Sequence, residues 1–147
     1  MYKEVLIPTD GSALSGHAVA HGMALAKACG ARVTGLFVAP APTPVVFEGM
    51  MPVGYMQPDE HARLTAQAAK RFLGVIEKAA QKAGVPFEGV TVTGEFPAEA
   101  ILDIASRRKC DLIVMASHGR RGLAGVLLGS ETQKVLTHAK MPVLVCR

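Results

Sequence analysis

Short apolar runs alternate with longer stretches of helical period along this chain, and that alternation limits the possible folds more than any other feature. The first run, Val5-Leu6-Ile7, stops at Pro8-Thr9-Asp10-Gly11-Ser12, a cluster of turn residues in which Ser12 is placed to cap a helix. That helix is expected over residues 13–29, with Gly30 as its terminating glycine. Val33 to Val38 is the next strand. Residues 59–83 are Ala-rich, with Leu64, Ala68, Phe72, Val75, Ile76 and Ala79 near a 3.6-residue period, and Gly84 closes them. Phe87 to Thr93 alternates as a strand does, and Pro97 opens a helix that runs to about Arg108. Asp111 to Ala116 reads as a strand buried on both faces. Ser130 to Ala139 is a short helix, and Val143 to Cys146 a last strand after Pro142.

Strands separated by helices imply a parallel sheet with right-handed crossovers. Five such strands and four helices make an α/β fold, a three-layer α/β/α sandwich. A length of 147 residues fits one domain, 1–147, with no linker or internal repeat. Ligands of open α/β sheets sit outside the carboxyl ends of the strands, where the strand order reverses. The segments that matter for function are therefore 8–12, 38–58, 94–97 and 116–130.

Several classes fall away. The longest apolar runs, such as Leu112 to Ala116, are too short to span a bilayer, so no membrane role is expected. The acidic Glu4 and the stop at Pro8 do not fit a secretory signal. Three cysteines, Cys29, Cys110 and Cys146, form no Cys-x-x-Cys pair, which suits a reducing cytoplasm. The net charge of +4 is uneven: residues 101–147 carry 8 Lys/Arg against 3 Asp/Glu, and residues 1–100 carry 8 against 9. A basic last third suits an anionic partner such as a phosphate group, and equally suits ordinary solubilising charge. Arg107-Arg108-Lys109 complements a helix C-terminus, and seven Phe and Tyr residues offer little for base stacking, so nucleic acid is not expected as a partner.

The segment after the fourth strand is the richest in chemistry. It reads Ala116-Ser117-His118-Gly119, then nine residues, then Gly129-Ser130 at a helix start. Glycines let backbone N–H groups turn toward a ligand, and a helix N-terminus favours an anion. Arg120 and Arg121 add positive charge. These features fit a phosphate cradle, and they also fit a long loop with an N-cap serine. Neither GxxxxGK[ST] nor a GxGxxG after the first strand is present, which argues against a P-loop enzyme or a dehydrogenase.

Three segments resemble the universal stress protein family. They are Tyr2 to Ser12, Met115 to Leu123 with Leu128-Gly129-Ser130, and Pro142 to Arg147. The resemblance spans the whole chain in order. Its loop pattern, Gly-x2-Gly-x9-Gly-Ser/Thr, marks the ATP-binding branch and implies the Rossmann-like fold of the adenine-nucleotide alpha hydrolases. Gly119, Gly129 and Ser130 keep that pattern, and Ala116 replaces its first glycine. By matched position the family implies that Asp10 and Val38 recognise adenine and ribose, with Pro8 and Thr9 as the floor. Met115 and Ala116 would line the ribose and α-phosphate side. Gly119, Gly129, Ser130 and Glu131 would hold the phosphates through backbone N–H groups and the Ser130 hydroxyl. The carboxylate of Glu131 is expected to point away along its helix. A Mg²⁺ ion would be bound through the phosphates of ATP.

Other residues carry less. Asp10 alone is an ordinary turn acid, and the carboxylates and lysine of a receiver domain are missing around it. His118 next to Ser117 lacks a third residue to orient it, so a loop-shaping role is expected and no catalytic residue is named. His17 and His21 stand one turn apart without a metal-binding motif, and no metal ligand is expected. Residues 39–58 make a loop of about 20 residues, long for a compact domain, that suits a lid or contact segment. Val143 to Cys146 is placed at a sheet edge where a two-fold axis would pair it with itself. The expectation is a cytoplasmic homodimer that binds an adenine nucleotide as a regulatory ligand and is not an enzyme. The alternative is a nucleotide-independent dimeric interaction protein of the same fold.

Overall fold

A computed structural model of the chain describes residues 1–42, 46–54, 56–120, 122, 125 and 127–147. The elements are β1 (Glu4–Pro8), α1 (Ala13–Cys29), β2 (Arg32–Ala39), β3 (Val46–Glu48), β4 (Met51–Val53), α2 (Pro58–Ala83), β5 (Phe87–Thr93), α3 (Pro97–Arg107), β6 (Leu112–Ala116), α4 (Ser130–His138) and β7 (Val143–Cys146).

Five strands form one sheet in the order β5-β2-β1-β6-β7, and every neighbouring pair is parallel. The three inner strands, β2, β1 and β6, are those buried on both faces. In β1, Val5 and Ile7 join Ala18, Met23 and Ala26 of α1 and Ile76 and Ala80 of α2. Leu6 faces the other way and joins Leu36, Ile113 and Met115 with Ile101 and Ala105 of α3 and Val135 of α4. The period of two along each strand thus distributes one apolar run between two cores, and the three layers follow. Strand order reverses between β1 and β6, so their carboxyl ends, Pro8 and Ala116, flank the switch point.

The local signals account for the boundaries. Ser12 caps α1, its hydroxyl accepting from the Ser15 N–H at 3.2 Å. Gly30 and Gly84 end α1 and α2 in left-handed conformation. Pro97 stands in the first turn of α3. Three expectations need correction. Asp111 lies before β6, and its carboxylate instead accepts the backbone N–H groups of Lys3 and Glu4. The segment 39–58 is not plain loop, because β3 and β4 form an antiparallel hairpin there; its Thr43, Pro44 and Tyr55 lie outside the described residues. Helix α4 has Gly129 as its N-cap, and Ser130 is its first helical residue with no side-chain capping bond.

Candidate functional site

A cavity of about 190 Å³ opens at the switch point. Its walls come from the end of β1 (Pro8, Thr9, Asp10), from β2 (Leu36, Val38), from α3 (Pro97, Ile101), from the end of β6 (Met115, Ala116) and from the following loop and α4 (His118, Gly119, Glu131, Thr132). Eight of the ten residues named from the sequence therefore line one cavity. Gly129 and Ser130 stand at the start of α4 and are not among the lining residues.

The turn after β1 is fixed by its own side chains. The Thr9 N–H donates to the Leu36 carbonyl at 2.8 Å, extending the β1–β2 ladder past the strand. Asp10 Oδ1 accepts the Ser12 N–H at 2.9 Å, closing a tight Asx turn. Gly11 has φ +76, and a Cβ there would collide with the Phe72 ring of α2, so both backbone and space require glycine. Ser15, one turn into α1, places its hydroxyl 3.2 Å from that of Thr9.

Asp10 also joins this turn to the loop after β6. Its Oδ2 accepts the Arg120 N–H at 2.8 Å. A Cβ at Gly119 would collide with that same oxygen, so the glycine makes room for the carboxylate. The Arg120 guanidinium lies 4.6 Å from the centre of the Phe72 ring. Phe72 in turn meets Phe37 edge to face at 5.3 Å. Arg120 thus contributes an N–H and a cation–π contact to the latch between the two loops. Arg121, expected to add charge here, lies outside the described residues, as does Leu123.

Partial burial pushes the Asp10 carboxyl upward, but hydrogen bonds from Ser12 and Arg120 and the Arg120 charge outweigh it. The group is held below its ordinary value near 3.8. A depressed folded-state value means the latch stabilises the fold fully above the unfolded value and loses that contribution as pH falls through the folded one. Loss of hydrogen-exchange protection at the Arg120 amide is therefore expected only in strongly acidic solution. Asp10→Asn should remove this acid dependence, and an unchanged acid limb in that variant would show that Asp10 is not the titrating group.

The other wall is stitched at the end of β6. The Ser117 N–H donates to the Cys146 carbonyl, the Gly129 N–H donates to the Ser117 carbonyl at 2.7 Å, and the Thr132 hydroxyl donates to the Ala116 carbonyl at 3.0 Å. The Gly129 N–H is therefore engaged within the protein, contrary to the role the resemblance implies for it. Gly129 has an ordinary φ of −69; it is crowded instead by His118, whose Cα and Cβ would lie 3.1 Å from an added Cβ.

Ser117 is buried, does not line the cavity, and has its hydroxyl 3.2 Å from His118 Nδ1. A nucleophile must reach its substrate, and this hydroxyl does not face the cavity. His118 packs against Gly122 and Gly129, which is a loop-shaping position. Burial pushes the Cys110 thiol up to about 12, and burial raises that of Cys146 as well, so neither is a thiolate near neutrality.

Glu131 does not point away along α4. Its Oε2 accepts the Ala98 N–H of α3 at 2.8 Å, and its Oε1 pairs with Lys134 Nζ at 3.0 Å. Sequence reasoning missed Ser15, Leu36, Ile101 and Thr132 as lining residues, and Pro97 and His118 fall in segments it marked without naming them as ligand contacts. Leu36 was implied by Val38, two residues on along the same strand face, and Ile101 by Pro97, one helical turn before it.

A doubly wound parallel sheet with a lined cavity at its switch point defines an open α/β protein of the kind in which ligands sit at that point. The chain belongs to the universal stress protein family, whose signature spans residues 1–147. It is 38% identical over 152 residues to a universal stress protein of Thermus aquaticus, covering all of both chains. The solved structure of MJ0577, a universal stress protein of Methanocaldococcus jannaschii, superposes with a TM-score of 0.79 at 29% identity, covering 99% of this chain and 96% of that one. A universal stress protein solved in complex with cAMP superposes with a TM-score of 0.70 at 24% identity, covering 99% of this chain and 97% of that one. Among the described residues, no helix is long and apolar enough to cross a membrane.

Proposed function

We propose that this protein binds an adenine nucleotide in the switch-point cavity as a regulatory ligand and does not act as an enzyme. The observation that carries the reading is the joining of two walls of different character. Leu36, Val38, Ile101 and Met115 form an apolar slot suited to a base, and the first turn of α4 beside it has no side-chain cap. The early N–H groups of a helix have no intrahelical partner and favour an anion. At about 190 Å³ the cavity is smaller than the roughly 300–1,000 Å³ that engulfs a drug-sized ligand, so base and ribose would enter while phosphates lie along the rim. A universal stress protein of the same fold was solved in complex with cAMP, an adenine nucleotide.

Asp10 and the backbone of Val38 would meet the nucleoside, and Gly119, Ser130 and Glu131 would offer backbone N–H groups to phosphates. With ATP, a Mg²⁺ ion would be bound through the phosphates and neutralise part of their charge. Mass spectrometry of small molecules released from the purified protein, followed by calorimetric titration with adenine nucleotides and Mg²⁺, tests the reading. Co-purification or saturable binding supports it, and no heat with any adenine nucleotide at millimolar concentration overturns it. Ser130→Ala should weaken binding only modestly, because the lost hydroxyl caps nothing in the free protein.

Pairing of β7 with its own copy across a two-fold axis belongs to the same proposal. β7 is an outer strand of the sheet, and Leu144 on it is 39% exposed. Light scattering at micromolar protein should give twice the chain mass, and a monomer mass would remove the pairing. A nucleotide-independent interaction protein is the second reading, favoured by Phe47 and Met51 of the β3–β4 hairpin, which are 63% and 72% exposed.

A further inference from the structure

We propose that Glu131 sets the ligand class of this cavity, favouring adenosine or its monophosphate over the triphosphate. The inference rests on the adenine-nucleotide reading and refines it. Two helices, α3 and α4, begin at the cavity, and both would ordinarily attract an anion there. One carboxylate of the protein serves both. Glu131 is the acidic residue in the first turn of α4, where a negative charge offsets the helix dipole. It reaches across to α3, where Pro97 has no N–H to offer and the Ala98 N–H is already donated to Glu131 Oε2 at 2.8 Å.

The cavity therefore carries its own anion where a polyphosphate would seek N–H groups. Asp10 is a second carboxylate in the wall, and none of the described lining residues is Lys or Arg. Of the two described cations nearby, Lys134 offsets part of the Glu131 charge and Arg120 is turned to an aromatic ring. Lys134 Nζ lies 3.0 Å from Glu131 Oε1, and the Arg120 guanidinium lies on Phe72. An uncharged ribose or a single phosphate meets this arrangement with little repulsion. Without a bound metal, each further phosphate adds about one negative charge to a rim that already holds Glu131, where water screens it incompletely.

Calorimetric titration of the parent protein and of Glu131→Gln with adenosine, AMP and metal-free ATP tests this. Gln retains an acceptor for the Ala98 N–H, removes the charge and frees Lys134. The parent should bind AMP at least about tenfold more tightly than metal-free ATP, and Glu131→Gln should narrow that ratio by about tenfold. In the parent alone, added salt should narrow the ratio, because it screens repulsion; this arm decides the matter should the variant fold poorly. Tighter binding of metal-free ATP than of AMP by the parent, or an unchanged ratio in Glu131→Gln, overturns the assignment while leaving the nucleotide reading intact. Absence of binding by all three ligands overturns both.

Discussion

Gly119→Val is expected to abolish detectable nucleotide binding and to lower stability by about 1–3 kcal/mol, the range for leaving a polar group without its partner. The reason is local. A Cβ at residue 119 would collide with Asp10 Oδ2, and valine adds two further carbons. Either the carboxylate swings away and abandons the Arg120 N–H, or the loop lifts from the turn after β1. Both outcomes open the cavity wall on which Asp10 and Gly119 stand. A double-mutant cycle separates collision from general damage. With Asp10→Ala in place the obstructing oxygen is gone, so Gly119→Ala should cost less in that background than in the parent. Urea unfolding and calorimetric titration provide the two readouts. Parental affinity in Gly119→Val would remove the loop from the site.

That variant ranks beside Gly129→Val, the substitution the loop pattern points to first. Gly129 supplies closeness to His118 and an N–H that ties the loop shut, so a side chain there shifts the start of α4. The Ser130 hydroxyl and the arginines should matter less. Arg120 bonds Asp10 through its backbone N–H, which any residue but proline retains, so only its cation–π contact and its charge are lost with the side chain.

What could be read from the sequence was what depends on neighbours within a few residues. Ser12, Gly30, Gly84 and Pro97 act through local backbone geometry, and the helices they delimit fall within a residue or two of expectation. The apolar period of β1 and β6 gave sheet and layers together, because a strand covered on both faces has to be central. Contacts that span the chain could not be read. Glu131 reaches Ala98 and Asp10 reaches Arg120, 33 and 110 residues apart, and no pattern within either segment announces the partner of the other. A first-turn acid fits an outward, dipole-serving role equally well on sequence alone. The β3–β4 hairpin escaped for the opposite reason. Its Val46, Phe47 and Met51 are exposed, so no buried face imposes an alternating pattern on that segment.

Leu36→Ala should produce the largest loss of stability among the lining positions, about 2–5 kcal/mol. Leu36 is 0% exposed although it borders the cavity, because its side chain closes the floor against Leu6, Ile113 and Ile101. Truncation removes its transfer free energy and enlarges a space that the rigid strands on either side cannot collapse to fill. β2 pairs with β1 over Arg32–Leu36 and with β5 over Val33–Ala39, so Leu36 is held from both sides, which prevents it from shifting inward. The urea midpoint should fall with little change in slope, since the surface exposed on unfolding is almost the same. Ligand affinity should fall as well, because the floor recedes from the base while the rim at α4 stays in place. A loss under about 1 kcal/mol would show that the floor repacks, and the apolar slot would then be an adjustable surface instead of a preformed one.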